Sequence, residues 1–265
     1  MRKLLILLAA VTGCLHAFSQ TESTFHTNGP DDYRTGAHAF INATIWKNYN
    51  TKIDSATLVI TDGKVVAVGK NIAIPQGAIV HNMEGKFIYP SFIDLFTDYG
   101  MPEVKRQPRS DDPQMETNIK GAYGWNQAIH TDFHADKNFI ADDKKAEDWR
   151  KAGFGVVLTN KRDGIARGTG EMVTLANDKE NYITVKGTAS ANYSFSKGTS
   201  TQDYPESLMG SIALLRQTYY DAAWYKANKE QKEYNINLEE WNNEQSLPQI
   251  FEAGDWQQVL RADKV

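Results

Sequence analysis

The sequence predicts an α/β chain in two parts, a β segment over residues 36–89 followed by alternating helices and strands over 90–265. Three observations predict it. Short runs of β-branched residues broken by turn residues fill 39–90. Helix-like stretches then alternate with short apolar runs, of which Gly155-Val156-Val157-Leu158-Thr159 has the length and composition of a strand buried on both faces. The composition is globular, with 41% hydrophobic and 23% charged residues, which supplies ample apolar material for a core.

Taken in order, strands are expected at 39–45, 56–60 and 65–69. Asp62-Gly63 between the second and third is a strong hairpin signal. Residues 72–80 read as strand around a turn at Pro75-Gln76-Gly77, and 83–90 lead into Tyr89-Pro90-Ser91-Phe92-Ile93-Asp94-Leu95-Phe96-Thr97-Asp98-Tyr99-Gly100, a further strand. Helices are expected at 118–129 and 142–152, the second stopped by Gly153. Strands follow at 155–160, 171–176 and 182–186. A long helix runs from 204 to about 229, with Leu208, Ile212, Leu215 and Tyr219 along one face. Residues 249–253 read as an inward strand, and Asp255 can cap a helix continuing through 265.

The order of these strands and the 89–100 motif resemble the metal-dependent amidohydrolases, specifically the imidazolonepropionase-like and dihydroorotase-like members. There the first barrel strand reads approximately P-G-F-I-D-A-H-T-H-x-G, preceded by a β segment worded like 56–90 of this chain. The resemblance implies a small N-terminal β-sandwich segment over 36–89 and, over 90–265, the first part of an incomplete (β/α)8 TIM barrel. A complete barrel takes about 250 residues. The stretch after Pro90 supplies about half the strands, so a portion of a larger protein is expected.

In the family the two histidines of that strand bind a catalytic divalent metal. Phe96 and Asp98 stand in their places here. A phenyl ring has no lone pair to give, and one carboxylate offers a hard oxygen where imidazole is expected. By the resemblance, Phe96 is a degenerate metal position, while Asp98 projects toward the barrel mouth, where this fold collects its functional groups. Asp98 is either a metal ligand or a carboxylate paired with Arg or Lys. Glu252, on the expected fourth strand, matches the place of the family's metal-bridging carboxylate and is the second candidate ligand. Asp94 matches a structural hydrogen-bonding aspartate. The family's later ligands lie outside this sequence, so a zinc-type divalent metal is expected only if residues beyond this chain complete the site. Catalytic and substrate-binding residues are not assignable.

Two other groups carry chemistry. His130 and His134 would share a helical face, yet they lack the glutamate of H-E-x-x-H and a third ligand, so a solvated polar turn is expected. The glycines of Gly164-Ile165-Ala166-Arg167-Gly168-Thr169-Gly170 fit neither phosphate fingerprint and read as a barrel loop using positive φ.

With net charge -4 and scattered Lys and Arg, nothing points to nucleic acid, and no membrane span occurs past the N-terminus. Arg2-Lys3, the apolar run 4–11 and Ala17-Phe18-Ser19 form a signal peptide over 1–19, implying bacterial export to the periplasm or beyond. The alternative reads Val11-Thr12-Gly13-Cys14 as a lipobox with lipid on Cys14, the single cysteine. Two functions follow from the resemblance. One is a hydrolase of C–N bonds other than peptide bonds of linear chains, with a small-molecule substrate. The other is a catalytically inactive scaffold or binding domain that works with the remainder of its polypeptide.

Overall fold

The computed structural model describes residues 36–105, 126–228, 230 and 233–265. The expected signal peptide, the Cys14 lipobox and residues 118–125 of the first expected helix lie outside the described residues. The chain divides into two compact units, Met1–Pro90 and Ser91–Val265.

The first unit is built around a long strand. β1 (Ala37–Asn48) pairs antiparallel with β2 (Thr51–Thr61), and β2 with β3 (Lys64–Gly69). β4 (Ile79–Asn82) and β5 (Phe87–Ile88) both run parallel to β1, giving the order β3-β2-β1-β4 with β5 also on β1. Asp62 and Gly63 both take positive φ, 51° and 71°, as a two-residue hairpin turn of this hand requires. A second tight hairpin, closed by the pairing Asn48↔Thr51, was not expected and lengthens both strands beyond 39–45 and 56–60. The 72–80 strand is corrected to Ile79–Asn82, because the turn at 75–77 leaves the residues before it without strand partners. The buried face carries Ala43, Ile45 and Ala56, packed against Ile53, Leu58, Val68, Met83 and Ile88.

The second unit holds a five-stranded sheet. Its strands are β6 (Phe92–Thr97), β7 (Phe154–Thr159), β8 (Ala166–Thr174), β9 (Thr184–Ser194) and β10 (Gln249–Glu252), in the order β10-β9-β8-β7-β6. β6 runs parallel to β7 and β9 parallel to β10. β8 runs antiparallel to both neighbours, so four strands point one way and one is reversed between them. This corrects the expected loop at 164–170: the glycine run enters β8 at Ala166 and is buried.

Helices α1 (Ala135–Asn138), α2 (Asp143–Lys151), α3 (Glu180–Ile183), α4 (Leu208–Ala227), α5 (Ile236–Glu244) and α6 (Trp256–Ala262) complete the unit. α2 starts where expected: the Asp142 side chain accepts from the Lys144 and Lys145 amides. It stops at Gly153, whose φ of 92° only glycine adopts easily. Asp255 caps α6 by accepting from Gln258 N, but the helix ends at Ala262 rather than 265. Residues 126–129 are not helical. The Asn126 side chain accepts from Ala128 N, and Ile129 bridges to Ala166. Residues 180–183, half expected as strand, form α3 before β9 begins at Thr184.

α4 begins after Ser207, which caps Gly210 N, and not at 204. Its buried stripe is Ser211, Leu214, Leu215, Thr218, Ala222 and Tyr225; Tyr219, expected inside, is 53% exposed. Leu214 and Leu215 pack with Trp241 of α5 onto Ala191 and Tyr193 of β9. Full burial of each leucine contributes about 1.5–3 kcal/mol. A second cluster places Ala146 of α2 against Val157 and Val173. Alternation along β9 therefore directs Ala191 and Tyr193 to the helices and Ser190, Asn192 and Ser194 to the opposite, polar face. Among the described residues no helix is long and apolar enough to cross a membrane.

Candidate functional site

The carboxyl ends of β6, β7 and β10 and the start of β8 converge on one charged cluster. β6 sets its first member. Asp94 Oδ1 accepts from Phe96 N at 2.8 Å, which fixes the strand end locally, and Phe96 is left half-buried. Arg162, just beyond β7, lays its guanidinium 4.1 Å from the Phe96 ring centroid. Its Nη2 lies 3.4 Å from Oε1 of Glu252, the last residue of β10. Arg167, the second residue of β8, brings Nη2 to 2.6 Å from Glu252 Oε2 and donates from Nε to Gly164 O at 3.2 Å.

Each oxygen of Glu252 thus faces its own guanidinium. The Arg167 side chain is only 5% exposed. Burial draws its guanidinium below the ordinary range, and the Glu252 charge opposes that shift by holding the proton on. Asp98 lies one residue past β6, is exposed, and takes no part in this cluster. Among the described residues no three His, Cys, Asp or Glu side chains gather as metal ligands. The donor set does not fit a divalent cation: Phe96 offers no lone pair, Glu252 is engaged on both oxygens, and two guanidinia add repulsion.

The cluster borders a cavity of about 880 Å³, lined among others by Arg162, Arg167, Ser194, Lys197, Ser207 and Glu252. Neither arginine was singled out from sequence. The available signal was position: Lys161-Arg162-Asp163 follows directly on the carboxyl end of a strand that runs parallel to β6.

A second polar group lies beside it. Asp163 is 4% exposed, accepts from Thr199 N at 2.8 Å and Thr199 Oγ1 at 2.9 Å, and has Lys161 Nζ at 3.3 Å. Burial would raise its carboxyl, but the Thr199 amide, the His130 charge, the Thr199 hydroxyl and Lys161 together bring it below the usual value. His130 Nε2 is 3.9 Å from Asp163, too far for a hydrogen bond, and burial lowers its imidazole against the pull of Asp163. The solvated-turn expectation is corrected for His130, which is largely buried. His134 lies 3.7 Å from Glu240, so the two histidines serve different partners.

The glycines of 164–170 act by close packing. A Cβ on Gly164 would meet the His130 ring, and one on Gly168, at φ 74°, would meet Phe133 O. Their absence lets the 128–133 segment pair along the free side of early β8, through His130 N to Ala166 O and Thr169 N to Phe133 O.

No family model matches the sequence, and no curated protein matches it. Among solved structures, an amidohydrolase from Thermotoga maritima MSB8 aligns with a TM-score of 0.64 over 85% of this chain and 60% of its own, at 19% identity. A D-hydantoinase aligns over 25% of this chain and 14% of its own, with 32% identity and a TM-score of 0.22. The chain spans less than two thirds of the length of either neighbour. The first likeness establishes a shared fold.

Proposed function

We propose that this chain belongs to an exported bacterial protein of amidohydrolase type, a hydrolase of C–N bonds other than the peptide bonds of linear chains, and that its own metal position is degenerate. In this reading 36–89 contributes to a β-sandwich and 90–265 to part of a TIM barrel. The observation that carries the reading is the fold shared with the Thermotoga amidohydrolase over 85% of the chain. The parallel pairs β6–β7 and β9–β10 support it, since they direct the strand ends that bear Phe96 and Glu252 toward one cluster.

A second reading, an inactive scaffold or binding domain serving the rest of its polypeptide, is favoured by the Arg162–Glu252–Arg167 cluster. In family sites the metal supplies an activated hydroxide. The described residues here offer charge in its place and no set of donors.

The test is zinc content after equilibration with the ion and removal of excess, read with hydrolysis of cyclic amides. The expected result for this chain is far less than one zinc per molecule and no turnover. Stoichiometric zinc that is lost in Asp98→Asn and Glu252→Gln would make both residues ligands and overturn the degenerate-site reading.

A further inference from the structure

We propose that the cavity beside β10 is an oxyanion site, which takes the carboxylate or phosphate group of a small molecule onto Arg162. Its lining carries Arg162, Arg167 and Lys197 against only Glu206 and Glu252. Its volume of about 880 Å³ lies in the range of small-molecule pockets, roughly 300–1,000 Å³.

Arg162 is the group with capacity to spare. One carboxylate is satisfied by one guanidinium in a bidentate pair. Glu252 has two, and the closer, at 2.6 Å, belongs to buried Arg167. Arg162 keeps a single long contact of 3.4 Å, its side chain is 40% exposed, and no described residue accepts from its Nε or Nη1. Its place over the Phe96 ring, 4.1 Å from the centroid, holds the guanidinium through a contact that uses no N–H, which leaves Nε and Nη1 available to a ligand. The aromatic ring that removes a metal donor thereby becomes the platform of an anion receptor.

The rest of the lining adds two further positive features, beside the single carboxylate of Glu206. Ser207, Leu208 and Ser211 line the cavity from the first turn of α4, a 20-residue helix whose amino end carries the positive pole of its dipole. Lys197 contributes a full charge, held in place by its 2.7 Å hydrogen bond to Gln202 O. Glu252 then acts as an internal carboxylate that competes with the ligand for Arg162.

That competition gives the test a sign. The full chain is titrated calorimetrically with sodium phosphate and, separately, sodium succinate, with sodium chloride at matched ionic strength as the control. Saturable binding of phosphate or succinate but not chloride is expected, and whichever binds more tightly names the group. Arg162→Gln should weaken it about tenfold or more, the scale of a charge-assisted hydrogen bond. Glu252→Gln should tighten it by freeing both guanidinia. A purely structural ion pair predicts no binding in any variant. Absence of saturable binding, or affinity unchanged in Arg162→Gln, overturns the proposal. Should Glu252→Gln fail to fold, Arg162→Gln decides alone, since Arg162 is part-exposed and its loss leaves Glu252 on Arg167. The readout is binding, so its failure leaves the fold-based reading of function untouched.

Discussion

Glu244 on α5 shows what one misplaced charge does to a core. Among the described residues neither of its carboxyl oxygens finds a hydrogen-bond partner, nor does Trp241 Nε1. Burial, and then the negative charges of Glu240 and Asp132, push its carboxyl up to about 9, so it is neutral at pH 7. The folded state therefore holds a proton that the unfolded chain, with an ordinary value of 4.5, has already lost. Stability from this group is highest below the unfolded value, falls as pH rises through the window up to about 9, and is level above it. Glu244→Gln removes the linkage. Its melting temperature should exceed that of the wild type at about pH 8.5, and the difference should shrink toward zero near about pH 4. Circular-dichroism melts at both pH values measure this, and parallel pH profiles for the two proteins would refute it.

Among the elements, α2 depends most plainly on one side chain. Asp142 satisfies two amides of its first turn, so Asp142→Ala should cost about 1 kcal/mol in urea unfolding, with Asp142→Asn close to wild type. Local signals were legible in sequence, as the helix start at 142, the Asp255 cap and the Asp62-Gly63 turn show, because each acts within a few residues of itself. The α4 stripe was not. Ser211 and Thr218 are polar in sequence but buried, since their hydroxyls donate to Phe195 O and Leu214 O. Counting apolar residues passes over them and selects exposed Tyr219 instead. In sequence the glycines at 164 and 168 look like a loop, because what they accommodate, the His130 ring and Phe133 O, comes from a segment some thirty positions upstream. Of the candidate site, Phe96 and Glu252 were legible as positions on strands. The guanidinia that give them a role were not, because they arrive from the β7–β8 connection and from a strand whose reversed direction no residue type announces.

At the scale of the whole molecule, two sheets are assembled within two units, and in each a strand adjoins neighbours of both directions. The first does this with β1 and the second with β7 and β9. In the second unit the outer strands are β6 and β10, and β6 leaves Phe92, Ile93 and Leu95 more than half exposed. Reversed β8 also bears on the order in which this sheet can form. Its pairings close short loops, Val157↔Val173 on one side and Val173↔Thr184 on the other, whereas Asp94↔Val157 and Ile250↔Asn192 must close much longer ones. Loop-closure entropy favours the short pairings first. The β7–β8–β9 meander is thus the expected folding nucleus, a template whose two flanks later capture β6 and β10. In pulsed hydrogen exchange during refolding, the amides of Val157, Met172 and Val173 should gain protection before those of Ile93 and Phe251. Simultaneous protection would mean that the wall condenses in one step. If the order holds, the one strand reversed among parallel neighbours is what lets a sheet of long-range pairings begin from a local one.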